Sequence, residues 1–198
     1  MKTNGSYVDV AVYQKAKGQN CLCGDSYFYQ ESEEGFICAL ADGLGSGQYA
    51  KESADIVIDV IKQNTNASVK DLVKQCNQQL YGKRGVVLGI LKFDFIAEKY
   101  TFSSIGNISI LTIAHEQKKK RNIPNAGYLA GYHRSFKVEQ QRLEPGMRFI
   151  LFSDGVTDED LSESFYVHRD TDLIVEHFAE ICGDDRDDDT TLIAIKYR

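Results

Sequence analysis

The 198-residue chain is 42% hydrophobic and 26% charged, and 23 Lys and Arg against 29 Asp and Glu leave a net charge of −6. That is enough apolar material for one sizeable core, so a single domain over residues 1–198 is expected, and the acidic balance excludes nucleic acid as the main partner. No apolar run approaches the length needed to cross a bilayer, and the opening MKTNGSYVDVAVYQ alternates like a strand instead of carrying a signal-peptide core. A cytoplasmic monomer with no membrane partner is the expectation. Five cysteines is an odd number, and Cys38 and Cys76 sit within apolar patterns, which reads as reduced core thiols. Cys21-Leu22-Cys23 lacks the second pair that a zinc site needs.

In chain order, Tyr7 to Tyr13 alternates as a strand, and Ser26 to Gln30 is a second strand after Gly24-Asp25. The acidic turn Glu31 to Gly35 leads into the apolar run Phe36 to Ala41, a buried strand that ends on Asp42-Gly43. A glycine-rich turn through Gly45 and Gly47 follows. Helical spacing then appears from Gln48 to Lys62 and from Ser68 to Leu80, where Ser68 is placed to cap and Asp71 stands three residues on. Val86–Phe93, Lys99–Ser104 and Ile108–Ala114 read as strands, and Lys118 to Arg121 as a polar hairpin tip. Asn125 to Tyr132 is a loop. Ser135–Gln140 and Arg148–Ser153 are strands separated by the turn Glu144-Pro145-Gly146, and the second ends on Asp154-Gly155. A helix over Asp170–Cys182 places Leu173, Ile174, His177, Phe178 and Ile181 on one face, and Thr190 to Tyr197 is the last strand. Strands in runs with helices grouped between them predict an α+β fold, an αββα sandwich of two antiparallel sheets flanked by helices.

Four acidic positions share one setting. Asp25 opens a strand, Asp42 and Asp154 each end an apolar strand and precede a glycine, and Asp188-Asp189 stands just before the last strand. One Asp-Gly is ordinarily only a turn, and the acidic loop from Asp184 to Asp189 is by default solvated. Two Asp-Gly pairs closing apolar strands are a stronger signal, because a carboxylate fixed at the end of a core strand needs a partner for its charge. Hard divalent cations take such oxygen ligands, and a glycine after a ligand lets its carbonyl approach as another.

ADGLGSG (41–47), SDG (153–155) and a terminal DDxT, together with CGDSYF, CNQQLYGKRG and SIGNISILT, resemble the motif set of type-2C metal-dependent serine/threonine protein phosphatases. The resemblance is closest to the bacterial sporulation and stress-response subfamily, and it spans about Tyr7 to Tyr197. It implies a two-metal centre holding Mn²⁺ or Mg²⁺, with Asp42 bridging the ions and the Gly43 carbonyl on the second. It also implies that Asp154 and Asp188 complete the first ion's shell and that Asp25 holds the second ion's waters. Asp189 is the register alternative to Asp188, because Asp187-Asp188-Asp189-Thr190-Thr191 fits DDxT in two ways; counting back from the C-terminus favours Asp188 with Thr191. Gly106-Asn107 would be a supporting turn. The implied reaction is hydrolysis of phosphoserine or phosphothreonine by activated water without a phosphoenzyme. The implied substrates are phosphorylated stressosome proteins of the anti-sigma-antagonist kind, in general-stress sigma-factor signalling. The chain departs from the wider family at three places. Gly24 stands where eukaryotic members have an acidic residue, no arginine precedes Asp25 to bind phosphate, and Gly85-Val86-Val87 replaces a Gly-Thr-Thr-like turn.

Other chemistries fit less well. G-x-G-x-G is not the dinucleotide spacing, and no G-K-[ST] is present. No cysteine has an arginine-bearing loop beside it, as a thiolate phosphatase would need. His177 reads as a packing residue, and His115, His133 and His168 fall near loops. The alternative to an enzyme is a catalytically weak phosphatase-like module that docks on a phosphoprotein assembly; the presence of all four carboxylates favours turnover.

Overall fold

Runs of alternating or continuous apolar residues build most of this chain as strand. The computed structural model describes residues 2–4, 6–18, 22–114, 119–161, 170–183 and 186–198, and among them are eleven strands and three helices. In chain order these are β1 (Lys2–Asn4), β2 (Val8–Lys15), β3 (Asp25–Glu31), β4 (Gly35–Gly43), α1 (Gln48–Gln63), α2 (Val69–Gln79), β5 (Val86–Asp94), β6 (Lys99–Ile105), β7 (Ser109–Ile113), β8 (Lys119–Arg121), β9 (Glu139–Arg142), β10 (Arg148–Phe152), α3 (Thr171–Cys182) and β11 (Thr190–Tyr197). All strand pairs are antiparallel, in two sheets with helices, as expected of the α+β class. Contacts gather into two units.

One unit comprises Gly24–Ile108 and Ile123–Leu143 and contains the five-stranded sheet β3-β4-β5-β6-β9. Ile37, Ala39 and Ala41 alternate along β4 and pack with Ala54, Val57, Ile58 and Ile61 of α1 and with Leu72, Val73 and Cys76 of α2. The small side chains on β4 let α1 come close: a Cβ on Gly43 would lie 1.9 Å from the Ala50 carbonyl oxygen. Helix α2 starts where Ser68 directs it, the Asp71 amide donating to Ser68 Oγ at 3.2 Å. Burial pushes the Cys76 thiol up to about 12 and the Cys38 thiol higher still, so both are inert core thiols.

The other unit comprises Met1–Cys23, Ser109–Asn122 and Glu144–Arg198, and holds the six-stranded sheet β1-β2-β11-β10-β7-β8. Helix α3, capped by Asp170 through the Asp172 amide at 3.0 Å, lays Ile174 and Phe178 on Ile150, Phe152, Leu192 and Ala194. Tyr13 meets Phe178 edge to face at 5.0 Å.

Three local expectations are corrected. Lys119–Arg121 is a strand paired to β7, not a hairpin tip; Lys118 lies outside the described residues. Residues Ser135 to Val138 are not strand, and pairing begins only at Glu139: Asn125 accepts from the Lys137 amide at 2.7 Å and Ser103 donates to the Lys137 carbonyl at 2.8 Å, so side chains take the place of a ladder. The buried face of α3 is Thr171, Ile174, Phe178 and Cys182, which leaves Leu173 and Ile181 exposed and His177 at the boundary. His133 is exposed, whereas His115 and His168 lie outside the described residues. No described helix is long and apolar enough to cross a membrane.

Candidate metal centre

The sheet β3-β4-β5 brings two of the sequence-identified carboxylates together. Asp25, the first residue of β3, is directly opposite Asp42 near the end of β4. Residues opposite each other in an antiparallel pair project from the same face with Cβ atoms roughly 5 Å apart. Asp42 alternates with Cys38 and Leu40, so this face is turned away from the Ile37, Ala39 and Ala41 face that receives α1 and α2. Asp25 is fully buried, and two like charges facing across a ladder destabilise it unless a cation is present.

The backbone around this pair is closely constrained. Gly43 has no room for a side chain beside α1. Gly45 and Gly47 take φ values of +95° and +73°, which steer the chain from β4 into α1. Gly106, at φ +85°, packs on Val87, the residue opposite Asp42 on β5, so the Gly106-Asn107 turn supports the Asp42 strand end. Lys51 on the first turn of α1 was not among the sequence candidates. Its Nζ donates to the Asp25 carbonyl at 3.0 Å and to Ser26 Oγ at 2.8 Å, and it lies 3.3 Å from Asp55, which accepts from Ser26 Oγ at 2.5 Å. The i,i+4 spacing of Lys51 and Asp55 was the signal available. Arg84 was missed as well: its guanidinium lies 5.4 Å from the centre of the Tyr49 ring and against Gly45.

Asp154 and Asp188-Asp189 belong to the other unit, at the end of β10 and the start of β11. The backbones at these two points touch. A Cβ on Gly155 would lie 2.3 Å from the Asp189 carbonyl oxygen, the Ser153 amide donates to the Thr191 carbonyl at 3.1 Å, and the Thr191 amide donates to Ser153 Oγ at 2.9 Å. Asp154 and Asp188 are exposed, and Asp188 accepts from the Asp189 amide at 2.9 Å. Asp189 is buried and accepts from the Lys17 amide at 2.9 Å. Arg186 straps the same region. It donates to Asp160 at 2.8 and 2.9 Å, to the Gly155 carbonyl at 3.2 Å and to the Cys182 carbonyl at 2.7 Å. One cysteine, contrary to expectation, therefore does have an arginine beside it, although Cys182 is buried. Burial raises the Asp160 carboxyl, but Arg186 together with the Thr157 amide and hydroxyl outweighs that and holds it below its ordinary value. The Asp160 partner in turn raises Arg186.

Among the described residues no three Asp, Glu, His or Cys side chains are clustered as a metal-ligating group. The carboxylates come instead as the pair Asp25–Asp42 and as Asp154 beside the Asp188-Asp189 backbone. The donor set suits a hard divalent ion that keeps several waters and takes few protein ligands: carboxylates and a glycine carbonyl, with no sulfur or imidazole.

A family model, Stage II sporulation protein E (SpoIIE), matches residues 32–198. The phosphoserine phosphatase RsbX of Bacillus subtilis (strain 168) is 33% identical over 155 residues, 78% of this chain and 78% of the relative. A crystal structure of RsbX in complex with magnesium superposes with a TM-score of 0.91 at 28% identity, covering 100% of this chain and 99% of that one. A chain solved in work on the bacterial stressosome as a modular system follows at a TM-score of 0.84 and 23% identity, over 96% and 99% of the two chains. This chain belongs to the SpoIIE family of PP2C-type serine/threonine protein phosphatases.

Proposed function

We propose that this enzyme is a phosphoserine/phosphothreonine protein phosphatase whose divalent cations are held by Asp25, Asp42, the Gly43 carbonyl, Asp154 and Asp188. The observation that carries the assignment is the pairing of Asp25 with Asp42 across β3 and β4, one of them fully buried, on a strand end locked against α1. Bound there, Mg²⁺ or Mn²⁺ supplies Lewis acidity toward a phosphoryl oxygen and toward water. The protein's part is positional. Close packing of Gly43 and Gly106 fixes the direction of Asp42, and Lys51 holds the start of β3 through the Asp25 carbonyl. Thr191 and Ser153 hold the strand ends that carry Asp188 and Asp154. Asp189, occupied by the Lys17 amide, serves as a structural acceptor and not as a ligand. RsbX is itself named a phosphoserine phosphatase; the substrates we propose, phosphorylated stressosome proteins of the anti-sigma-antagonist kind, rest on the motif resemblance.

Hydrolysis of p-nitrophenyl phosphate with EDTA, Mg²⁺ or Mn²⁺, beside the Asp42→Ala and Asp154→Ala variants, tests the assignment. Turnover that requires the ion and disappears in both variants is expected. Retained turnover in either variant would remove that residue from the centre.

A further inference from the structure

No arginine precedes Asp25 to take the substrate phosphate, so a protein donor to the phosphoryl group has to come from elsewhere in the chain. Arg84 lies beside the glycine turn that follows Asp42-Gly43. It leaves the loop after α2 and enters β5, and the Leu44 amide donates to the Gly85 carbonyl at 3.0 Å, tying this segment to the glycine turn that follows Asp42-Gly43. Its guanidinium lies 5.4 Å from the centre of the exposed Tyr49 ring and fills the space over Gly45, where a Cβ would come within 2.6 Å of Nη1. Gly45 is thus glycine twice over, for its φ of +95° and for the arginine above it. The neighbouring cation behaves differently: Lys83 is engaged by Glu52 at 2.6 Å. No carboxylate among the described residues pairs with Arg84, which remains exposed at the edge of a cavity of about 280 Å³ lined by Tyr49, Glu52, Ser53, Gly82, Lys83 and Arg84. A guanidinium stacked on an aromatic face and lacking an acidic partner is already oriented, so little rotamer freedom is lost when it takes two phosphoryl oxygens at once.

We infer that Arg84 binds the phosphoryl group of the substrate phosphoserine. This rests on the phosphatase reading above and supplies, from the α2–β5 connection, the phosphate contact that the chain lacks before Asp25. The experiment uses a fluorescent peptide carrying the non-hydrolysable phosphonate isostere of phosphoserine, whose binding to the Mn²⁺-loaded protein is read by anisotropy. Steady-state kinetics on the phosphoserine peptide and Mn²⁺ calorimetry accompany it, for wild type, Arg84→Ala, Arg84→Lys and Lys83→Ala. Arg84→Ala is expected to weaken phosphonate binding about 10- to 100-fold and to raise KM by a similar factor, with Mn²⁺ affinity within about twofold of wild type. Arg84→Lys should recover part of the loss, and Lys83→Ala should cost less than about threefold because that ammonium is already paired. Phosphonate binding by Arg84→Ala within twofold of wild type would overturn the inference. So would equal losses in Arg84→Ala and Lys83→Ala, a loss of Mn²⁺ affinity in Arg84→Ala, or no binding by wild type. Arg84-dependent phosphonate binding in a protein that turns over no phosphoserine peptide with Mn²⁺ would overturn the phosphatase reading and leave this site standing.

Discussion

Asp188 and Asp189 are adjacent acids with opposite surroundings. Asp188 is exposed and its carboxylate accepts from the neighbouring Asp189 amide, whereas Asp189 is buried and its carboxylate accepts from the Lys17 amide. A charge-assisted bond to a backbone amide contributes to stability, and an exposed carboxylate at a strand end is available to a cation. Asp188→Asn should therefore lower kcat/KM by about 100-fold or more with little change in stability. Asp189→Asn should cost about 1 kcal/mol of stability and less than a tenfold loss of activity. Denaturant unfolding and steady-state kinetics on both variants check this, and the reverse pattern would make Asp189 the ligand. The motif alone left both registers open. What separates them is the backbone of residues 15–18 lying against this loop, a contact between segments some 170 positions apart in sequence.

At the scale of elements, the loops that leave β10 and enter β11 are held together by Arg186 and Asp160, whose side chains are 14% and 10% exposed. Breaking a pair this sheltered leaves an uncompensated charge and should cost about 3 kcal/mol in Asp160→Asn. The pH dependence follows from the depressed Asp160 carboxyl. Its stabilisation is fully present above the unfolded carboxylate value near 3.8 and is lost as pH falls through the lower folded value. The difference in unfolding free energy between wild type and Asp160→Asn should be flat from about pH 5 to 8 and shrink below about pH 4. A constant difference down to pH 3 would show that the pair does not titrate as described. Element boundaries were largely readable from period and punctuation: β4, β5, β10, β11 and all three helices fall within a residue or two of the expected ranges. The misread elements are those where hydrophobic pattern did not decide. Polar β8 is a strand only because β7 offers it an edge, and residues 135–138 are held by Asn125 and Ser103. Helix α3 is rotated toward Cys182, since the sheet beneath it accepts Phe178 and Ile174 and has no place for Leu173.

For the molecule as a whole, two carboxylates facing each other across β3 and β4 should leave the protein without its cation less stable than the cation-bound form. A cation at 100 times its Kd adds about 2.7 kcal/mol, which for a chain of this length raises Tm by about 5–10 °C. Mn²⁺ should produce such a shift in wild type. Asp42→Asn, which removes one of the facing charges, should unfold at a higher temperature than wild type in EDTA and show little response to Mn²⁺. Equal EDTA melting temperatures together with a full Mn²⁺ shift in the variant would separate Asp42 from the metal.

The amino-acid sequence by itself determined the antiparallel α+β class and most element limits, because a period of 2 or 3.6 and a glycine or proline at its end are local properties of the chain. It also marked Asp42 and Asp154, each the terminus of an apolar run. Tertiary structure alone decided which strands are neighbours. Three early strands follow one another in sequence, yet β2 pairs with β11 in one sheet while β3 and β4 pair in the other, and that second pairing sets Asp25 opposite Asp42. Arg84 became visible only once β4 and β5 were in register, since a lone exposed arginine carries no period and acquires a neighbour in Gly45 through long-range hydrogen bonding. Local pattern reports what a segment buries; the partners of a charge depend on chain closure over many residues, and no short window of sequence contains them.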